Sequence, residues 1–171
     1  FKELGLDVYG VDLSPEAPLL ASDLNISVCN LESASLPFPD DHFDVIYSKS
    51  FLEHVRDPSE FLQEAYRVLK PGGLILSMVP DWESQYKKFY DDYTHVSPFT
   101  MISLKNIQLV IVFENVKVYK FRQLPLVWKY PILNYLCALM SPFIPVRTTM
   151  PVLRWSRELM LLGAGRKPVN K

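Results

Sequence analysis

A chain of 171 residues, 49% hydrophobic and 22% charged, has the makeup of one globular domain long enough to bury a core. Its formal net charge of −1 argues against the counterion-driven grip on nucleic acid that a basic chain obtains. The two cysteines, Cys29 and Cys137, lack metal-ligand spacing and read as ordinary reduced thiols rather than a zinc site or a disulfide framework.

The first ten residues, FKELGLDVYG, contain no initiator Met and no apolar run of the signal-peptide kind, and read as a chain entered partway through a helix. Residues 7–11 (DVYGV) predict a short buried strand ending at Asp12. Ser14-Pro15-Glu16 predicts a helix start, with Ser14 as N-cap and Pro15 at the first helical position. A second strand is expected over 25–29, a proline-rich acidic loop over 36–44, and a third strand over Phe43–Tyr47. Asp57-Pro58-Ser59-Glu60 then gives an N-cap, a proline at N1 and an acid at N3, and Phe61, Ala65, Val68 and Leu69 share one face of the helix that follows. Lys70 is expected in its last turn and Pro71-Gly72-Gly73 at its end. Leu74–Val79 is a near-continuous apolar run, the pattern of a strand covered on both faces. Beyond it come a polar-aromatic loop over 81–98, a helix over 99–112 (with 107–113 equally readable as a strand), a strand over Val116–Phe121 and a last strand over Leu159–Gly163. Strands alternating with helices predict an α/β fold around a parallel sheet with right-handed crossovers.

Three segments, YGVDLSPE (9–16), LPFPDDHFDVIYSKSFLEHVRDP (36–58) and FLQEAYRVLKPGGLILSMVP (61–80), together resemble the class I S-adenosylmethionine (SAM)-dependent methyltransferases, in particular the type 11 group. The resemblance implies a Rossmann-like, mostly parallel sheet with helices on both faces and SAM as cofactor. It also implies that the family's first strand and glycine-rich loop are absent, because that loop precedes the strand-ending acid by roughly 20 residues and only 11 residues precede Asp12. The expectation is therefore an N-terminally truncated domain that binds SAM weakly, since the backbone of that loop must approach the cofactor without Cβ clash. Residues 1–122 form the partial core in this reading, 123–156 an apolar proline-rich insertion, and 157–171 the final strand and tail.

Site residues follow from the resemblance one by one. Asp12 stands where the family's acid accepts from both ribose hydroxyls, with Leu13 beside it; the competing role is a loop aspartate that caps the next turn. The turn Asn30-Leu31-Glu32 stands where the adenine is held, with Leu31 packed against the base. Tyr47, Ser48 and Lys49 line the methionine end. Glu53 and His54 follow, at positions where some quinone-biosynthesis relatives bind a divalent metal or assist deprotonation. Those relatives carry a further Glu three residues earlier, where this chain has Ser50, so no metal is assigned. His95, in the loop Asp91-Asp92-Tyr93-Thr94-His95, is a candidate general base because an imidazole titrates near neutrality. For His54 and His95 the competing role is structural.

The implied reaction is methyl transfer to a small-molecule or lipid-like acceptor, with no nucleic-acid partner, in the cytoplasm. The apolar stretch 124–146 is too proline-broken for a membrane span; it caps the acceptor pocket, touches a membrane surface, forms a subunit contact or packs as a plain insertion. The rival reading is a non-catalytic methyltransferase-like module that binds a partner through 124–146.

Overall fold

The structure is a computed structural model that describes residues 1–31 and 35–169. Its strands form two sheets. Strand β1 (Tyr9–Asp12) pairs in parallel with β2 (Asn25–Val28). The other sheet has four strands in the order β3 (Phe43–Lys49), β4 (Leu69–Pro80), β6 (Leu159–Arg166), β5 (Glu114–Arg122). β3 and β4 are parallel, while β6 is antiparallel to both of its neighbours, so β5 runs in the same direction as β3 and β4. The architecture is the expected Rossmann-like α/β one, mostly parallel with one reversed strand. Tyr9 joins the sheets, its ring meeting Phe43 at 5.7 Å and Phe38 at 6.0 Å, both edge-on.

Helix α1 (Ala17–Leu20) begins later than Ser14-Pro15 predicts. Asp12 Oδ1 accepts from the Ser14 amide at 2.7 Å and Ser14 Oγ from the Glu16 amide at 3.2 Å. These local side-chain bonds hold the backbone in turns instead of a helix. α2 (Pro58–Val68) starts as predicted, with Asp57 Oδ1 accepting from the Ser59 amide at 2.9 Å. It ends earlier than expected: Leu69 is already extended and pairs with Phe43, and Lys70 belongs to β4, where its ammonium binds both oxygens of Asp44 at 2.8 and 2.9 Å. Pro71 is the physical reason, because its ring disfavours helical backbone at the preceding residue. Gly72 takes φ +80°, and a Cβ on Gly73 would lie 2.8 Å from the Lys70 carbonyl oxygen.

The loop after β4 contains α3 (Trp82–Gln85), capped by Asp81 Oδ2, which accepts from the Ser84 amide at 3.1 Å. Residues 107–113, readable either way, fall mainly in α4 (Met101–Val110), which Thr100 and Ser103 start with a reciprocal capping box. Prolines do not simply break the apolar stretch: Pro125 and Pro151 stand at the first turns of α5 (Pro125–Lys129) and α7 (Pro151–Arg157), with α6 (Leu133–Met140) between them.

The core lies between α2, α4 and one face of the four-stranded sheet, where Leu62, Ala65, Leu69, Ile75, Val79, Leu104 and Leu161 are fully buried. Each of the buried Leu, Ile and Val side chains contributes about 1.5–3 kcal/mol relative to exposure. Helix α4 sits close on β6 because Gly163 is beneath it: a Cβ there would meet Gln108 Nε2 at 2.9 Å and Leu104 at 3.1 Å. The opposite sheet face is less covered, with Val45, Tyr47 and Tyr119 exposed and Leu74, Leu76 and Met78 half-buried. Arg67 staples the 36–40 loop to α2, binding Glu64 (2.8 Å), Asp40 (2.7 Å) and the carbonyls of Leu36 (3.0 Å) and Phe38 (2.9 Å).

Candidate active site

The carboxyl ends of parallel strands are where α/β sheets bind ligands, because side chains and loop amides converge there. β1 ends at Asp12, β2 is followed by Asn30 and Leu31, β3 ends at Ser48-Lys49, and β4 is followed by Asp81. Asp12 is exposed, and its bond to the Ser14 amide occupies part of one carboxylate oxygen. A carboxylate offers about four lone-pair sites, so capping the turn leaves capacity for two hydroxyls. Leu13 and Asn30 are also exposed, whereas Leu31 turns inward and packs against the hydrophobic core. Glu32 lies outside the described residues. Tyr47 meets the ring of Phe1 edge-on at 5.7 Å, and partial burial raises its phenol pKa. Lys49 is exposed. Ser48 is buried, and its Oγ has no hydrogen-bond partner among the described residues.

Beyond β3 the chain turns sharply at Ser50 (φ +49°) into a short 3-10 turn, Leu52–His54. Glu53 in this turn is 1% exposed. Its backbone carbonyl accepts from the amides of Val96 (2.8 Å) and Ser97 (3.0 Å), and Ser97 Oγ donates to the Val55 carbonyl at 2.7 Å. The loop carrying His95 is thereby seated on the Glu53 turn. Glu53, His54 and His95 each place one donor atom within 4.8 Å of the others, and the two imidazole rings lie 4.7 Å apart. All three residues singled out from sequence thus meet in one cluster. One carboxylate and two imidazoles are also a donor set of the kind divalent cations accept.

Their hydrogen bonds set the chemistry. The Phe89 carbonyl, which can only accept, lies 2.8 Å from His95 Nδ1, so that nitrogen carries the proton and Nε2 keeps the lone pair of the neutral ring. The Thr94 hydroxyl donates to Asp92 Oδ1 at 2.6 Å and therefore accepts from His54 Nδ1 at 2.8 Å, which leaves His54 in the same tautomer. Asp92 Oδ2 stands 3.8 Å from His95 Nε2. Burial raises the Glu53 carboxyl to about 7 against the pull of its backbone and Ser50 hydrogen bonds, and the charge of Asp92 adds to the rise. Its Oε2 has no partner among the described residues. A carboxyl poised near neutrality beside two basic nitrogens suits proton removal.

Sequence reasoning missed the supports of this cluster. Asp92 and Thr94 orient His54, and the Asp-x-Thr spacing was a readable signal for that turn, since the Asp92 side chain also accepts from the Thr94 amide at 3.0 Å. Asp81 is fully buried, with Lys120 3.1 Å from its Oδ1, and nothing local in the sequence announces that pair.

A family profile described as a methyltransferase domain matches residues 1–77. An uncharacterized protein of Methanocaldococcus jannaschii is 36% identical over 90 residues, 53% of this chain and 44% of that protein. A ubiquinone/menaquinone biosynthesis C-methyltransferase of Psychromonas ingrahamii is 42% identical over 72 residues, 41% of this chain and 29% of the enzyme. The chain therefore spans less than half the length of these curated relatives. A crystal structure of a SAM-dependent methyltransferase from Archaeoglobus fulgidus superposes with a TM-score of 0.69 at 20% identity, covering 97% of this chain and 78% of that one, which shows the shared fold.

Proposed function

We propose that this chain, whose residues 1–77 match a methyltransferase domain profile, is a class I SAM-dependent methyltransferase of the type 11 group that transfers a methyl group from SAM to an apolar, lipid-like small molecule, using the Glu53–His54–His95 cluster to take up the acceptor's proton. The observation that carries the reading is the meeting of that cluster just beyond the carboxyl end of β3, while Asp12 stands at the carboxyl end of β1 in the neighbouring two-stranded sheet. The residues at that edge suit the cofactor: Asp12 retains acceptor capacity for a ribose, and Ser48 presents a buried hydroxyl without a partner among the described residues.

SAM supplies an activated methyl group, whose bond to the sulfonium breaks with the electron pair staying on sulfur. The protein's own work is positioning, exclusion of water and proton uptake. As the acceptor atom bonds to the methyl carbon, its proton passes to His95 Nε2. The Phe89 carbonyl and the Asp92 carboxylate then hold the resulting imidazolium. An apolar acceptor is supported by the segment after β5. Its Arg147 binds both carboxylate oxygens of Asp91, at 2.7 and 2.9 Å, in the loop that carries His95. The name of the Psychromonas relative, a C-methyltransferase of ubiquinone/menaquinone biosynthesis, points the same way. Acceptors of this class partition into bilayers, so the reading includes peripheral membrane contact of an otherwise cytoplasmic protein.

Methyl transfer from labelled SAM to a panel of apolar phenols and quinols tests the proposal. His95→Gln is expected to lower kcat by roughly 10²–10⁴-fold, the usual worth of a positioned base, with SAM affinity unchanged. A variant as active as the parent would remove His95 from the proton path.

A further inference from the structure

Residues 123–157 contain no aspartate or glutamate, although the whole chain holds 19 acids and has a net charge of −1. The same stretch holds Lys129, Arg147, Arg154 and Arg157. Its helices form one layer: α6 packs against α5, the Ser141–Phe143 turn and α7, and α7 packs against β5. Arg122 on β5 anchors the layer, donating to the Ser156 carbonyl at 2.7 Å and to Asn134 Oδ1 at 3.2 Å, while its own carbonyl accepts from Trp128 Nε1 at 2.7 Å. The layer is thus held in place, yet it leaves Trp128, Ile132, Tyr135, Leu139 and Phe143 between 62% and 79% exposed.

We infer that this layer is an interfacial docking surface for an anionic lipid bilayer. Large apolar side chains beside amphipathic Trp and Tyr rings, with cations and no acids, are the composition of helices that lie in the headgroup region. None of the described helices is long and apolar enough to cross a membrane. α6, at eight residues, spans only about 12 Å against a hydrocarbon core of roughly 30 Å, so the layer lies on the bilayer. A second copy of the chain is a poorer occupant, because the layer's own residues bring cations and no acid, the partners of Arg147 (Asp91) and Arg154 (Glu158) lying outside it. The inference rests on the apolar-acceptor reading for its purpose alone. Docking is measured without SAM or acceptor, so its failure and the failure of methyl transfer are separate results.

Co-sedimentation with phosphatidylcholine vesicles, with and without a quarter of phosphatidylglycerol, tests it. The chain is expected to bind the anionic vesicles at least tenfold more tightly than the neutral ones, with the difference collapsing as salt rises. Lys129→Glu with Arg154→Glu should erase the anionic preference. Ile132→Ser with Phe143→Ser should lower binding to both vesicle types. Circular dichroism checks that each variant stays folded. Equal affinity for both vesicle types, no binding, or concentration-dependent dimerisation that survives in place of vesicle binding would each overturn the inference.

Discussion

Glu53 carries a measurable consequence of its burial. Its carboxyl is raised from the ordinary 4.5 to about 7, so between those values the folded chain keeps a proton that the unfolded chain has released. Stability therefore falls as pH rises through this window, and the full cost, about 3 kcal/mol, is present above pH 7. Glu53→Gln removes the titration. Denaturant unfolding at pH 5 and pH 8 should show the variant gaining up to about 3 kcal/mol on the parent between the two; parallel curves would mean that Glu53 ionises normally. The same substitution should remove a limb near pH 7 from the activity profile. None of this was readable from Glu53 as a letter in the sequence. Its neighbourhood comes from Val96 and Ser97, more than 40 residues away, whose amides bind its carbonyl.

Elements were legible where local chemistry decides them. The Asp57-Pro58 start of α2 needs only a capping carboxylate and a proline at N1, and it stands as read. Lys70 was misplaced because the contest between a last helical turn and a first strand residue was settled by pairing of Leu69 with Phe43, a partner distant in sequence. α1 starts late because Asp12 and Ser14 spend their side chains on turns, an alternative that periodicity does not register. Gly163-Ala164-Gly165 shows the converse: it has the spacing of a cofactor loop but lies inside β6, beneath α4. Gly163→Ala should therefore act on packing. With its Cβ 2.9 Å from Gln108 Nε2, we expect a loss of about 1–3 kcal/mol, read as a drop in thermal midpoint of roughly 2–4 °C per kcal/mol. An unchanged midpoint would mean that α4 lifts freely off β6.

At the scale of the whole molecule, the order β3-β4-β6-β5, with β6 reversed, backs a core whose buried members run from Leu52 to Leu161. Alternating strands and helices made the α/β class legible, while the reversal of β6 and the separation of β1 and β2 into their own sheet depend on pairings that no local pattern encodes. The site inherits this arrangement: Asp12 ends one sheet, and Ser48 and the Glu53 turn end a strand of the other. A two-dimensional NMR titration of SAM into this chain and into Asp12→Ala reads cofactor binding at each amide, even when affinity is low. Binding at the strand ends should give saturable shifts at Asp12, Leu13, Asn30, Ser48 and Lys49, with affinity about 10-fold or more lower in the variant, as for a lost charged hydrogen bond. Shifts confined to other parts of the fold, or identical curves for the two proteins, would contradict it.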